Sequence, residues 1–207
     1  LEGIDTGDYS SYSVSEAGDV NGDGYADILI GARNGDPSGS NSGETYVVFG
    51  KGDSFGASVD LGALDGSDGF VLEGIDTGDI SGSSVSEAGD VNGDGYAALL
   101  ISASLAKPNG TNSGETYVVF GKESGFDASV DLGALDGSDG FVLEGIDSYD
   151  VSGKSVSTAG DVNGDGYADI LIGAYGGDPG GDFSAGETYV VFGKGDSFDA
   201  SMDLGAL

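Results

Sequence analysis

The stretch Ser13-Val14-Ser15-Glu16-Ala17-Gly18-Asp19-Val20-Asn21-Gly22-Asp23-Gly24-Tyr25-Ala26-Asp27-Ile28-Leu29-Ile30-Gly31-Ala32 returns twice, starting again at Ser84 and at Ser155. Its flanks return with it. Leu1-Glu2-Gly3-Ile4-Asp5 recurs at residues 72–76 and 143–147, a period of 71 both times, and Pro37, Pro108 and Pro179 fall on the same spacing. A one-residue insertion then shifts the third copy, so that Gly43 and Gly114 are matched by Gly186. The chain therefore divides into three units, residues 1–71, 72–142 and 143–207. The third stops at Leu207, where the others continue with Asp65-Gly66-Ser67-Asp68-Gly69-Phe70-Val71.

Each unit reads as strands joined by turns. Ser13–Gly18 alternates weakly and is rich in small residues, as a crowded inner strand would be, whereas Ala26–Gly31 and Thr45–Phe49 are short apolar runs bounded by turn residues. Such runs suit strands buried on both faces. Gly69–Ile75 supplies a fourth strand. No stretch combines helical periodicity, sufficient length and freedom from glycine. The chain is read as all-β: blades of four antiparallel strands, three to the chain, with Tyr46, Phe49, Tyr117, Phe120, Tyr189 and Phe192 as core aromatics. A period this long suits propeller blades and not the much shorter coils of a β-solenoid. Propellers have about four to eight blades, so three form a half or partial propeller. Two arrangements follow. In one, two chains self-associate into six blades, and residues 1–4 of a partner supply the outer strand that the third blade lacks. In the other, the three blades belong to a longer parent chain. A filament is a third outcome, if head-to-tail contacts do not close.

Between the first two strands, Asp19, Asn21, Asp23 and Asp27 stand at positions 1, 3, 5 and 9 of a loop, with Gly24 at position 6 and Tyr25 at position 7. Calcium takes six to eight oxygen ligands, and this spacing turns alternate side chains, with the Tyr25 carbonyl, toward one point. The third copy repeats the set as Asp161, Asn163, Asp165, Tyr167 and Asp169. The second keeps Asp90, Asn92, Asp94 and Tyr96 but has Ala98 at position 9, so a weaker site is expected there. Position 12 is Ile30, inside an apolar strand, which rules out a helix–loop–helix calcium loop. The plain alternative is an Asx/Gly turn. Two full copies in register favour Ca2+.

These residues, with Gly43-Glu44-Thr45-Tyr46-Val47-Val48-Phe49-Gly50, resemble the FG-GAP repeats of integrin α-subunit β-propellers and their bacterial relatives. The resemblance runs over nearly the whole chain. It departs where the family's Phe-Gly is replaced by Ser10-Ser11, Ser81-Gly82 and Ser152-Gly153, where Arg33 and Tyr175 replace the proline after Gly-Ala, and where Ser102-Ala103-Ser104 stands in the middle copy. The resemblance implies calcium loops at one end of the propeller and ligands at the other.

Composition narrows the function. Six basic residues against 37 acidic ones give a formal charge of −31, and there is no Cys, His or Trp. Such a surface repels nucleic acid and anionic lipid, and no apolar run is long enough to span a bilayer. Without Cys or His there is no disulfide, thiolate or imidazole chemistry. The calcium loops use at most eight of the 28 Asp residues, so most of the acidity lies elsewhere. Glu16 and Glu87 match each other, but the third copy has Thr158, so no catalytic residue is assigned and the chain is read as a non-enzyme. The loops opposite the calcium end vary most, and the third copy adds Tyr149, Tyr175 and Phe183 there, candidates to stack on a sugar or to anchor a protein. The resulting expectation is a calcium-stabilised, extracellular or cell-surface module for adhesion or for binding a protein or glycan. Its rivals are a purely structural, self-assembling unit and, behind that, a hydrolase or lyase domain.

Overall fold

In a computed structural model, which describes residues 1–123 and 125–207, the repeat folds into three sheets. The first copy contributes β1 (Ser13–Gly18), β2 (Asp27–Ala32), β3 (Glu44–Val48) and β4 (Gly69–Glu73). The second contributes β5 (Val85–Gly89), β6 (Ala98–Ala103), β7 (Glu115–Val119), β8 (Ser129–Asp131) and β9 (Gly140–Glu144). The third contributes β10 (Ser155–Gly160), β11 (Asp169–Ala174), β12 (Glu187–Val191) and β13 (Ser201–Asp203). The fold is β, with short 3₁₀ turns as its only helical segments among the described residues. None of these is long and apolar enough to cross a membrane.

Antiparallel pairs follow chain order from the inside of each blade outward, β1-β2-β3-β4, β5-β6-β7-β9 and β10-β11-β12. The expected four-stranded blade needs one correction. β8 pairs in parallel with β4, and β13 with β9, so each of the first two sheets gains a fifth strand from the following copy. Ser129-Val130-Asp131 is too short and polar to announce a strand. It holds because Val130 packs on the shared core and Asp131 caps the next turn by accepting Gly133 N–H at 2.8 Å. In the first copy the same contact reduces to one parallel bridge, Glu2 with Asp60. The third sheet has three strands.

The inner strands β1, β5 and β10 lie side by side, and their Ser, Ala and Gly residues permit that crowding. Each ends in a bulge just before a glycine in the left-handed region, Gly18, Gly89 and Gly160 (φ 69°, 73° and 68°). The bulge turns the chain out of the sheet and into the Asp/Asn loop. Of the middle strands, β2 has one exposed position and β11 two half-buried ones. β6 is buried at all six positions.

Two of the cores lie between successive blades. Phe49 and Phe70 of the first blade meet Phe126 of the second, with the Phe70 and Phe126 rings stacked at 4.2 Å. Phe120, Phe141 and Phe198 repeat the cluster one blade on, with a stack at 4.4 Å. Four of the six aromatics read as core are buried. Tyr189 is half-buried and Phe192 is exposed, because within these residues no blade follows the third.

Candidate metal centre

The three Asp/Asn loops occupy the same end of their blades. In the first, two backbone N–H groups of a tight turn point at Asp19: Asp23 N donates to its Oδ1 at 3.0 Å and Gly24 N to its Oδ2 at 2.9 Å. Asp23 N also donates to Asn21 Oδ1 at 3.0 Å, and Tyr25 N to Asp23 Oδ1 at 2.9 Å. Asn21 Nδ2 reaches Asp23 Oδ2 at 3.1 Å. Gly22 and Gly24 take φ of 73° and 87°, the left-handed conformation that lets five residues close on themselves. The side chains at positions 1, 3 and 5 are thereby gathered on one small turn. The same bonds recur at Asp90, Asn92 and Asp94 and at Asp161, Asn163 and Asp165.

Position 9 is held differently. Asp27 is buried at the start of β2, where its Oδ2 accepts Val20 N–H at 2.9 Å and its Oδ1 accepts Gly50 N–H at 2.8 Å. Asp169 accepts Val162 N–H at 2.9 Å and Gly193 N–H at 3.0 Å. Burial pushes the Asp27 carboxyl above its usual range. The Gly50 and Val20 donors pull it back, while Asp23 and Asp19 add repulsion. In the middle copy Ala98 supplies no acceptor.

The donor set fits a hard cation. It is all oxygen: two or three carboxylates, one amide and, at Tyr25, Tyr96 and Tyr167, a backbone carbonyl. Among the described residues no group of three or more carboxylates stands close enough to hold a metal unaided. A cation here would lean on the amide and the carbonyl, and the position-9 carboxylates would bind it through oxygens already engaged with backbone N–H groups.

The tyrosine at position 7 has a second role that its spacing does not announce. A Cβ placed on Gly22 would lie 2.4 Å from the Tyr96 ring, and one on Gly93 would lie 2.5 Å from the Tyr167 ring. Each tyrosine thus covers the glycine of the preceding loop. Ala97 N donates to Asp19 O at 3.2 Å and Ala168 N to Asp90 O at 2.9 Å, while Lys122 N and Lys194 N reach Val20 O and Val91 O at 2.9 Å each. Successive loops are therefore bonded across the blade boundary. The signal was a Gly and a Tyr at fixed places in every copy.

At the opposite end the β2–β3 loop meets the loop that enters the next blade. Ile80 N donates to Asn41 O, and Val151 N to Asn112 O. Tyr149, Tyr175 and Phe183 are all exposed there on the third blade, and Gly176 N donates to Asp150 O, joining the loops that carry the first two. Sequence reasoning missed the carboxylates beneath. Tyr46, Tyr117 and Tyr189 donate to Glu44, Glu115 and Glu187, and burial raises the Glu44 and Glu115 carboxyls. Asp8, Asp79 and Asp150 are buried nearby, and Lys107 pairs with Asp79 at 2.7 Å. The repeated Ile-Asp-x-x-Asp, beginning at Ile4, Ile75 and Ile146, was the signal for them. On the inner strands Glu16 lies near Glu87, whose carboxyl is raised by burial and by Glu16, whereas Thr158 bonds to Ala88 O.

The FG-GAP repeat family model matches residues 12–48, 81–119 and 152–191. Integrin alpha-4 of Xenopus laevis is 30% identical over 173 residues, covering 82% of this chain and 14% of that protein. Integrin alpha-PS5 of Drosophila melanogaster is 31% identical over 179 residues, 85% of this chain and 16% of that one. Phosphatidylinositol-glycan-specific phospholipase D of Bos taurus is 32% identical over 158 residues, 75% of this chain and 17% of that one. The chain spans less than a fifth of the length of these relatives.

Proposed function

The chain belongs to the FG-GAP repeat family, and on that premise we propose that it is a calcium-stabilised β-propeller module of an extracellular or cell-surface protein, working in adhesion or ligand binding and not in catalysis. The observation that carries the reading is the gathering of Asp19, Asn21 and Asp23, and of their counterparts, on three like turns that are bonded to one another across blades. Asp19, Asn21, Asp23, Asp27 and the Tyr25 carbonyl would hold the first Ca2+. Asp161, Asn163, Asp165, Asp169 and the Tyr167 carbonyl would hold another. Asp90, Asn92, Asp94 and the Tyr96 carbonyl make a weaker third. When bound, the ion supplies positive charge that relieves carboxylate repulsion within each loop and fixes the turn.

The protein's own residues then do the rest. The loops brace one end of the blades, and the variable loops at the other end face outward. Tyr149, Tyr175 and Phe183 form the proposed contact surface for a protein or glycan, supported by their exposure beside polar Asp, Ser and Gly residues. On the inner strands Glu16 and Glu87 give way to Thr158 in the third copy, and that inequality supports binding over catalysis there.

Thermal melting with calcium and after its complete removal tests the metal. The midpoint should fall on removal, and Asp19→Ala and Asp161→Ala should lower it more than Asp90→Ala. An unchanged midpoint refutes the calcium reading. A calcium-containing panel of glycans and proteins tests the ligand surface. Binding there should weaken at least about tenfold, or about 1.4 kcal/mol, in Tyr149→Ala or Tyr175→Ala.

A further inference from the structure

One ion pair stands apart from the three-fold pattern. Lys107 Nζ lies 2.7 Å from Asp79 Oδ1, and this is the one ion pair among the described residues. Asp79 is on the loop that enters the middle blade, and Lys107 is on the β6–β7 loop. Leu105 N donates to Asp79 O at 3.4 Å and Gly114 N to Ala106 O at 3.0 Å, so backbone bonds hold both loops beside the pair. Asp79 is 6% exposed, and the Lys107 side chain 50%. The middle blade has a neighbour packed on either side.

The other copies lack this pair. The residues matching Lys107 are Asp36 and Asp178, which add repulsion at the buried Asp8 and Asp150. Three other lysines, Lys51, Lys122 and Lys194, lie instead over phenylalanine rings. Around Lys107, a cleft of about 440 Å³ is lined by Asp76, Thr77, Asp79, Pro108 and Glu115. Glu115 is half-buried there. Burial raises its carboxyl, the Tyr117 hydroxyl pulls it back, and Asp79 adds repulsion. The cleft thus holds an amine, a carboxyl in contact with it, and a second carboxyl that takes up a proton more readily than an exposed one. Those are the parts needed to make an amide.

We propose that Lys107 and Asp79 condense to an isopeptide bond, a covalent brace between the two loops, with Glu115 carrying protons. One proton of the Lys107 ammonium passes to the carboxyls of the cleft. The freed lone pair attacks Asp79 Cγ and makes the C–N bond. The tetrahedral centre then expels one Asp79 oxygen, which leaves as water with the proton already transferred and a second from the same nitrogen. Glu115 takes these protons from the nitrogen and returns them to the departing oxygen. Nothing is oxidised or reduced: ammonium plus carboxylate gives amide plus water. Amines and carboxylates free in water do not join unaided, but groups held in contact reach effective molarities of about 10⁵–10⁸ M. Condensation also removes a charge from a buried position, where holding it is unfavourable. The exposed side of Lys107 gives the water a way out. The bond would join residues 28 apart and constrain the unfolded chain as a disulfide does, in a chain that has no Cys.

Peptide-mapping mass spectrometry of the folded protein tests this. The expected product is a branched peptide that joins the Lys107 and Asp79 segments, lighter by one water than the two separate peptides and resistant to hydroxylamine. Lys107→Arg keeps the ion pair and should keep the wild-type circular dichroism, yet it should yield no branch; Asp79→Ala should yield none either. Glu115→Gln keeps an acceptor for Tyr117 and should slow branching at least about a hundredfold. A wild type still unbranched after prolonged incubation at neutral pH overturns the proposal and leaves an ordinary ion pair. A loss of water that persists in Lys107→Arg belongs to a backbone imide at an Asp-Gly pair such as Asp23-Gly24, and overturns it as well. Branching at the wild-type rate in Glu115→Gln overturns the role given to Glu115.

Discussion

Asp27→Ala separates what the position-9 carboxylate does for the fold from what it would do for a metal. Without calcium, Asp27 still satisfies two backbone N–H groups, Val20 at 2.9 Å and Gly50 at 2.8 Å, and Val20 is fully buried. Deleting the carboxylate strands both donors, and a buried unmet donor costs about 1–3 kcal/mol. The gross loss is thus about 2–6 kcal/mol. An offset comes from the carboxylate itself, whose raised pKa records an unfavourable burial of charge. That moves the expected net loss to about 2–4 kcal/mol. For a chain of this length the melting midpoint moves by about 2–4 °C per kcal/mol, so calcium-free Asp27→Ala should melt about 4–16 °C lower than calcium-free wild type. Asp27→Asn keeps one acceptor oxygen and should fall by about half as much. Scanning calorimetry in metal-free buffer measures both. If calcium-free Asp27→Ala melts with the wild type, yet loses stability once calcium is present, the carboxylate acts only through the metal and this reasoning fails.

Other outcomes follow from the same contacts. A Cβ on Gly31 would lie 2.1 Å from Gly82 O in the next blade, so Gly31→Ala should cost about 1–3 kcal/mol in denaturant unfolding; at Gly173 the nearest obstacle is the Ser155 side chain of the same blade, and Gly173→Ala should cost less. In calcium-free protein, stability should rise on mild acidification. Glu44, Glu115, Asp8 and Asp150 all have carboxyls raised chiefly by burial. A raised carboxyl contributes stability that is fully present below its unfolded value, 4.5 for Glu or 3.8 for Asp, and lost as pH climbs through the folded value. Melting midpoints that fall steadily from neutral pH toward those values would contradict this.

The repeat, the strand-forming runs and the turns were legible because each is written locally and three times. Strand ends agreed to within a residue or two, since apolar runs such as Ile28-Leu29-Ile30 stop at Gly and Asp. What escaped the sequence depends on a partner from another copy. β8 exists because β4 lies beside it, and no property of Ser129-Val130-Asp131 alone reveals that edge. The Tyr96 ring covers Gly22, a residue 74 positions earlier. Asp27 reads as a metal ligand from its spacing, and its two backbone donors are visible only once the loop and the end of β3 are brought together.

The acidity also takes a physical form. Asp60, Asp131 and Asp203 each accept the N–H two residues on, at Gly62, Gly133 and Gly205. Asp65 and Asp136 do the same for Ser67 and Ser138, whose hydroxyls also donate to them at 2.6 Å, and the hydroxyl bond first, with the backbone bond, holds each carboxyl below the usual range. Asp23, Asp94 and Asp165 take the next Tyr but one. A side chain with a single methylene reaches its own backbone two residues on, whereas Glu overshoots. That is a reason for 28 Asp against 9 Glu. The charge of −31 is in good part the residue of a fold that closes its turns with short carboxylates, repeated blade after blade. A fold built this way accumulates repulsion with every copy it adds, and salt around it should screen that repulsion and ease the stacking of blades.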